Sequence, residues 1–138
     1  MTKYATGYVH YEASSAKWEN GLRDYFEYRD LELGDATGGE YFAHLLRAKR
    51  AVTGGTGHHK HDVKFHWTCV IKGWISFDFK DVGHVVLKAG DSHYMPDGCH
   101  HELMECSEDL EMIEMYSPGE IGTIDVPDFE RTAQQERA

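Results

Sequence analysis

From residue 40 to residue 116 apolar and polar positions alternate in short runs cut by Gly, Asp and Pro, a rhythm that residues 1–39 lack. Alternation with a period of two puts successive side chains on opposite faces of a strand. The pattern therefore predicts strands near 41–52, 58–63, 66–72, 74–79, 84–88, 92–95, 100–105 and 110–116, joined by turns at Lys72-Gly73, 80–83, 89–91, 96–98 and 107–109. Eight short strands within about 75 residues would leave exposed edges in one flat sheet, so closure into a barrel or a double-sheet jelly roll is expected. Upstream, Trp18, Leu22, Tyr25 and Phe26 fall at i, i+4, i+7 and i+8, with Ser14 or Ser15 placed to cap. That spacing predicts a short amphipathic helix within 13–29, weakened by Gly21.

A chain of 138 residues with 41% hydrophobic content can bury one core, so 1–138 reads as a single domain. Its parts are an N-terminal arm (1–39), a barrel (40–118) and a C-terminal tail (119–138) that begins polar and ends charged. Fourteen Lys and Arg against 24 Asp and Glu give a formal charge of −10, and no basic patch is visible, which speaks against nucleic acid or an anionic membrane as partner. No apolar run approaches the roughly 20 residues needed to cross a bilayer, and the first residues lack the zones of a signal peptide. The expectation is a soluble, cytoplasmic protein that takes a small-molecule substrate. Cys69, Cys99 and Cys106 form no C-x-x-C pair and are odd in number, which suits a reducing compartment.

Candidate chemistry is concentrated in histidine, with ten in the chain and eight of them between His58 and His101. His59 and His61, two apart on a predicted strand, project from one face with Cα atoms roughly 6.5 Å apart, so both rings can reach one metal ion. Gly90, Pro96 and Gly98 shape a turn that delivers His100 and His101 onto another strand. Closure into a barrel would bring one of these to the first pair from the opposite wall. The same pleat alternation turns His58 and His100 away, to solvent or the barrel mouth. His10, His44, His84 and His93 read as surface or satisfied core residues.

Two stretches resemble the motifs of the cupin superfamily. His59-Lys60-His61, four residues, His66, six residues and Gly73 is similar to G-x5-H-x-H-x(3,4)-E-x6-G. Gly90, five residues, Pro96-Asp97-Gly98, two residues and His101 is similar to G-x5-P-x-G-x2-H-x3-N. The chain departs from these patterns in three places: His66 stands where the family has a glutamate, Glu105 where it has an asparagine, and the opening glycine is displaced because Thr53 precedes Gly54.

The resemblance implies an all-β, double-stranded β-helix or jelly-roll barrel preceded by a short helix or arm, assembled as a homodimer. It also implies a divalent metal on His59, His61 and His101, with His66 either a fourth ligand or a partner of metal-bound water. Imidazole is a borderline donor, so this set suits Fe(II), with Zn, Ni, Cu or Mn as alternatives, better than Mg or Ca. Arg47 or Arg50, on the strand leading into the first motif, could hold a substrate anion, the role assigned to Arg47, and Tyr94 and Glu105, the latter sharing strand parity with His101, could move protons. The expected activity is that of a mononuclear Fe(II) dioxygenase acting on a small enolisable or chelating acid or diketone. The alternatives are a non-catalytic metal- or ligand-binding barrel and a metal-assisted isomerase or hydrolase.

Overall fold

A computed structural model describes residues 8–21, 23–61, 63–117 and 123–126. Two antiparallel sheets face each other across the core. The first has the strand order β1 (Glu19–Asn20), β2 (Phe26–Asp30), β3 (Phe42–Ala48), β10 (Glu111–Ser117), β5 (Phe65–Lys72), β8 (Ser92–Tyr94). The second runs β11 (Thr123–Asp125), β4 (His59–His61), β9 (His101–Cys106), β6 (Trp74–Phe79), β7 (Gly83–Lys88). This is the double-sheet jelly roll that the alternation predicts, and the eight expected strands all appear with ends shifted by a few residues.

The inner faces supply the core. Leu46, Val70, Leu110 and Met112 come from the first sheet and its approach, and Ile75, Phe77, Leu87 and Leu103 from the second, each at most 8% exposed. Burying a side chain of this size is worth about 1.5–3 kcal/mol, so the facing sheets are held chiefly by this layer. At the β5–β6 hairpin Gly73 takes φ +74°, and a Cβ there would stand 2.3 Å from Ser107 Oγ. Only glycine fits that turn without displacing its neighbours. Among the described residues strand β4 meets β9 at a single register pair, His59 opposite His101.

The N-terminal segment departs from expectation. The described residues of 13–29 hold one turn of 3-10 helix at Ala13–Ser15 and then β1 and β2, and among them there is no amphipathic α-helix. Edge pairing explains the difference: β2 aligns with β3 from Phe26↔Ala48 to Asp30↔His44, which satisfies its backbone on that side and buries Phe26. Tertiary context overrides an apolar spacing that Gly21 already weakened. A four-residue helix, α1 (Leu33–Ala36), lies in the β2–β3 connection. From the tail, β11 pairs with β4, and residues 127–138 lie outside the described set. No described helix is long and apolar enough to cross a membrane.

Candidate metal centre

Three of the predicted ligands converge. The β4 pleat puts His59 and His61 on one face, and the cross-strand pair puts His101 opposite His59, with ring centroids 4.3 Å apart for His59–His101, 4.9 Å for His59–His61 and 5.1 Å for His61–His101. Their candidate donor nitrogens all lie within 4.8 Å of one another, close to the roughly 3–4 Å separations of imidazoles sharing one ion. Two rings are also oriented for the task. His59 Nδ1 donates to the Gly57 carbonyl (3.1 Å) and His101 Nδ1 to the Cys99 carbonyl (2.9 Å), which leaves each Nε2 as the atom available to a metal. Burial pushes His101 down to about 3, with His59 adding to the effect, and burial lowers His59 against the opposing pull of Gly57. These two rings are therefore neutral near pH 7, the form a metal needs. The donor set fits a divalent transition metal.

His66 stands beside this set but is engaged elsewhere. Its ring is 5.2 Å from that of His61, and its Nε2 donates a hydrogen bond to Glu114 Oε2. The other carboxylate oxygen, Oε1, accepts from His44 Nε2 at 2.6 Å. Burial alone would push the Glu114 carboxyl up, but the two histidine hydrogen bonds outweigh it and hold the group well below the usual carboxylate range. The result is an ionised carboxylate clamped between two imidazoles in the barrel wall. Tyr28 and Tyr116 pack their rings against His44 at 5.0 and 5.6 Å. Burial pushes the Tyr116 hydroxyl up to about 12 and raises Tyr28 as well, so both remain protonated donors.

The triad, His66, His44 and Glu114 all line one cavity of about 350 Å³, a size suited to a small organic molecule. Its remaining wall is largely apolar, with Phe26, Ile75, Phe77, Met95, Leu103 and Met112. Arg23, from the arm, also lines it and pairs with no described acidic residue. A guanidinium in this position can meet an anionic substrate group.

Arg47, Tyr94 and Glu105 are not brought to the cavity. Arg47 alternates with inward Leu46 and so points outward, with its Nε 2.8 Å from Glu27 and its guanidinium 4.0 Å from the centre of the Trp18 ring. Tyr94 is 53% exposed, with its neighbours His93 and Met95 turned inward. Glu105 has the parity of His101, but a bulge intervenes: Phe77 pairs with Leu103 and Ser76 with Glu105, so the register shifts by one residue at Met104. The extra residue inverts the phase, so Cys106 enters the core and Glu105 is exposed. Arg50 also stays outside, 3.6 Å from Asp24. His58 is buried rather than exposed, because it precedes β4 and its Nε2 lies 2.8 Å from buried Glu102. His84 is satisfied by Asp78 at 2.6 Å.

Sequence reasoning missed His44, Glu114 and Arg23. An acid embedded in the apolar run of β10 was the available signal for Glu114, but alternation alone leaves either face of that strand free to be the inner one.

No protein-family model and no curated protein sequence matches the chain. Solved structures do. The polyketide cyclase RemF from Streptomyces resistomycificus superposes with a TM-score of 0.69 over 93% of this chain and 89% of its own, at 15% identity. KdgF from Halomonas sp. gives 0.65 over 80% and 94%, at 16% identity. An RmlC-like cupin from Shewanella frigidimarina gives 0.57 over 78% and 88%, at 17% identity. The fold is that of the cupins. At such identities the likeness fixes the architecture and leaves chemistry to the residues, and in this chain the residues are a histidine triad fit for a metal and a largely buried His-Glu-His chain beside it.

Proposed function

We propose that this cupin is a metal-dependent enzyme that removes a proton from a small enolisable carbonyl compound carrying an anionic group, without net oxidation. The observation that carries this reading is the His44–Glu114–His66 chain opening into the same cavity as the triad. When bound by His59, His61 and His101, a divalent metal supplies Lewis-acid polarisation of a substrate oxygen. His66 is the base: the α-proton moves from substrate carbon to its imidazole, and the electron pair stays on the substrate as the enolate. Glu114, held ionised, orients His66 and stabilises the imidazolium, much as a buried aspartate serves a catalytic histidine. His44 fixes the carboxylate from the other side. Arg23 binds the anionic end, and the apolar wall limits water around the reacting carbon. Isomerisation, aldol closure and lyase reactions all begin with this step. A polyketide cyclase shares the fold, and poly-β-carbonyl chains carry α-hydrogens of suitable acidity.

The test is deuterium wash-in at the α-carbon of a 3-oxo acid, followed by NMR without oxygen on zinc-loaded protein. Wild type should exceed buffer by at least ~100-fold, the lower range for general base catalysis, and His66→Gln should lose that gain while keeping its zinc. Loss of zinc in His66→Gln would make His66 a fourth ligand and end its role as base.

A second reading, an Fe(II) dioxygenase for the same class of substrate, is favoured by the all-imidazole donor set, which suits iron and brings no carboxylate to it. Oxygen uptake by iron-loaded protein, with no wash-in under nitrogen, would decide for it.

A further inference from the structure

Four side chains form a row across the first sheet. His44 on β3, Glu114 on β10, Thr68 on β5 and His93 on β8 are register partners in that order, so the pleat turns all four to the same, inner face. One half of the row is closed, since His44 and His66 occupy the two oxygens of Glu114. The other half is open. Thr68 is 1% exposed and lines the cavity, yet its Oγ1 has no hydrogen-bond partner among the described residues, and neither has the Nε2 of His93 beside it.

A buried hydroxyl left unpaired destabilises a fold, and native interiors retain few of them. Valine would fill the same volume on a strand at no such cost. The hydroxyl at this point of the wall is therefore explained by a partner that the protein does not itself supply.

We infer that Thr68 Oγ1 is a specificity-determining contact, hydrogen-bonding an uncharged hydroxyl or carbonyl oxygen of the substrate at the buried wall of the cavity. The oxygen is uncharged because the next position in the row is the Glu114 carboxylate, which repels a second anion, whereas Arg23 provides for a charged group from the arm. The substrate class narrows to compounds with an oxygen beyond the pair that a metal would chelate, that is, compounds with three or more carbonyl or hydroxyl oxygens. This inference rests on the reading that substrate enters the metal cavity.

Two measurements on Thr68→Val and Thr68→Ser test it. In metal-free protein, Thr68→Val should melt at or up to about 4 °C above wild type, because an unpaired polar group has been replaced by an apolar one of the same shape. In zinc-loaded protein, calorimetry compares heptane-2,4,6-trione with acetylacetone, which has one carbonyl fewer. Wild type and Thr68→Ser should bind the trione at least ~10-fold more tightly, and Thr68→Val should keep less than about a twofold preference, the loss of one hydrogen bond. A Thr68→Val protein several degrees less stable would show that the hydroxyl is already satisfied inside the fold and overturns the inference. Equal binding of the two probes by wild type, or an unchanged preference in Thr68→Val, overturns the role of Thr68 alone. Neither probe binding to wild type overturns the substrate reading and this inference with it.

Discussion

Replacing Glu114 by Gln keeps the shape of the side chain and removes its charge. In the wild type the carboxylate accepts one hydrogen bond from His44 at 2.6 Å and another from His66. An amide can retain both contacts by accepting from one ring and donating to the other, so the loss is that of charge assistance. A hydrogen bond to a charged group contributes about 1.5–3 kcal/mol and a neutral one about 0.5–1.5, so two such changes should destabilise by about 2–3 kcal/mol. For a chain of this length that is a fall in Tm of roughly 7–10 °C. The assay is thermal and urea unfolding of metal-free protein, with exposed Glu105→Gln as the control expected within about 0.5 kcal/mol of wild type. The pH dependence provides a second check. Glu114 has a folded pKa below its unfolded value, so its stabilisation is present in full above the ordinary carboxyl value of 4.5 and is lost as pH falls through the folded pKa. Below 4.5 the wild type should therefore lose up to about 1.4 kcal/mol more per pH unit than Glu114→Gln. Equal stability of the two proteins at pH 7, or parallel acid limbs, would refute the clamped carboxylate.

Other outcomes follow from the same geometry. His101→Ala should lose stoichiometric metal, measured by elemental mass spectrometry, with an affinity drop exceeding the ~10–100-fold caused by removing a mere supporting hydrogen bond. Arg23→Gln should raise KM for a 3-oxo acid by about 10–100-fold and leave KM for the matching neutral ester within about twofold; an equal effect on both would remove its role with anions. Gly73→Ala should destabilise by roughly 1–3 kcal/mol in urea melts, since it combines a positive φ with a Cβ against Ser107 and Asp109.

The barrel was legible because alternation and turn residues are local signals, and β4 through β10 follow them closely. The triad was legible for the same reason: an H-x-H pair on a strand needs no knowledge of the rest of the molecule. The remainder of the site depends on relations between strands. Glu114 acquires its meaning from His44 and His66 on the strands to either side of β10, 70 and 48 residues away in sequence. Glu105 carried the parity of a ligand strand, and one bulge at Met104, invisible to any count of residues, reversed it. Arg23 lay in a segment whose apolar spacing reads as helix until a neighbouring strand edge is available to pair with it.

The single rung between β4 and β9 has a mechanical consequence. Along that seam the described backbone ladder is one residue pair long, and the two residues in it, His59 and His101, both belong to the triad that could hold a metal. An ion bound there would act as a rivet where the sheet is least stitched, tethering β4, and β11 beyond it, to the body of the barrel. Loss of the ion would then loosen an edge of the molecule as well as empty a site, so the apo form should begin to unravel from that corner.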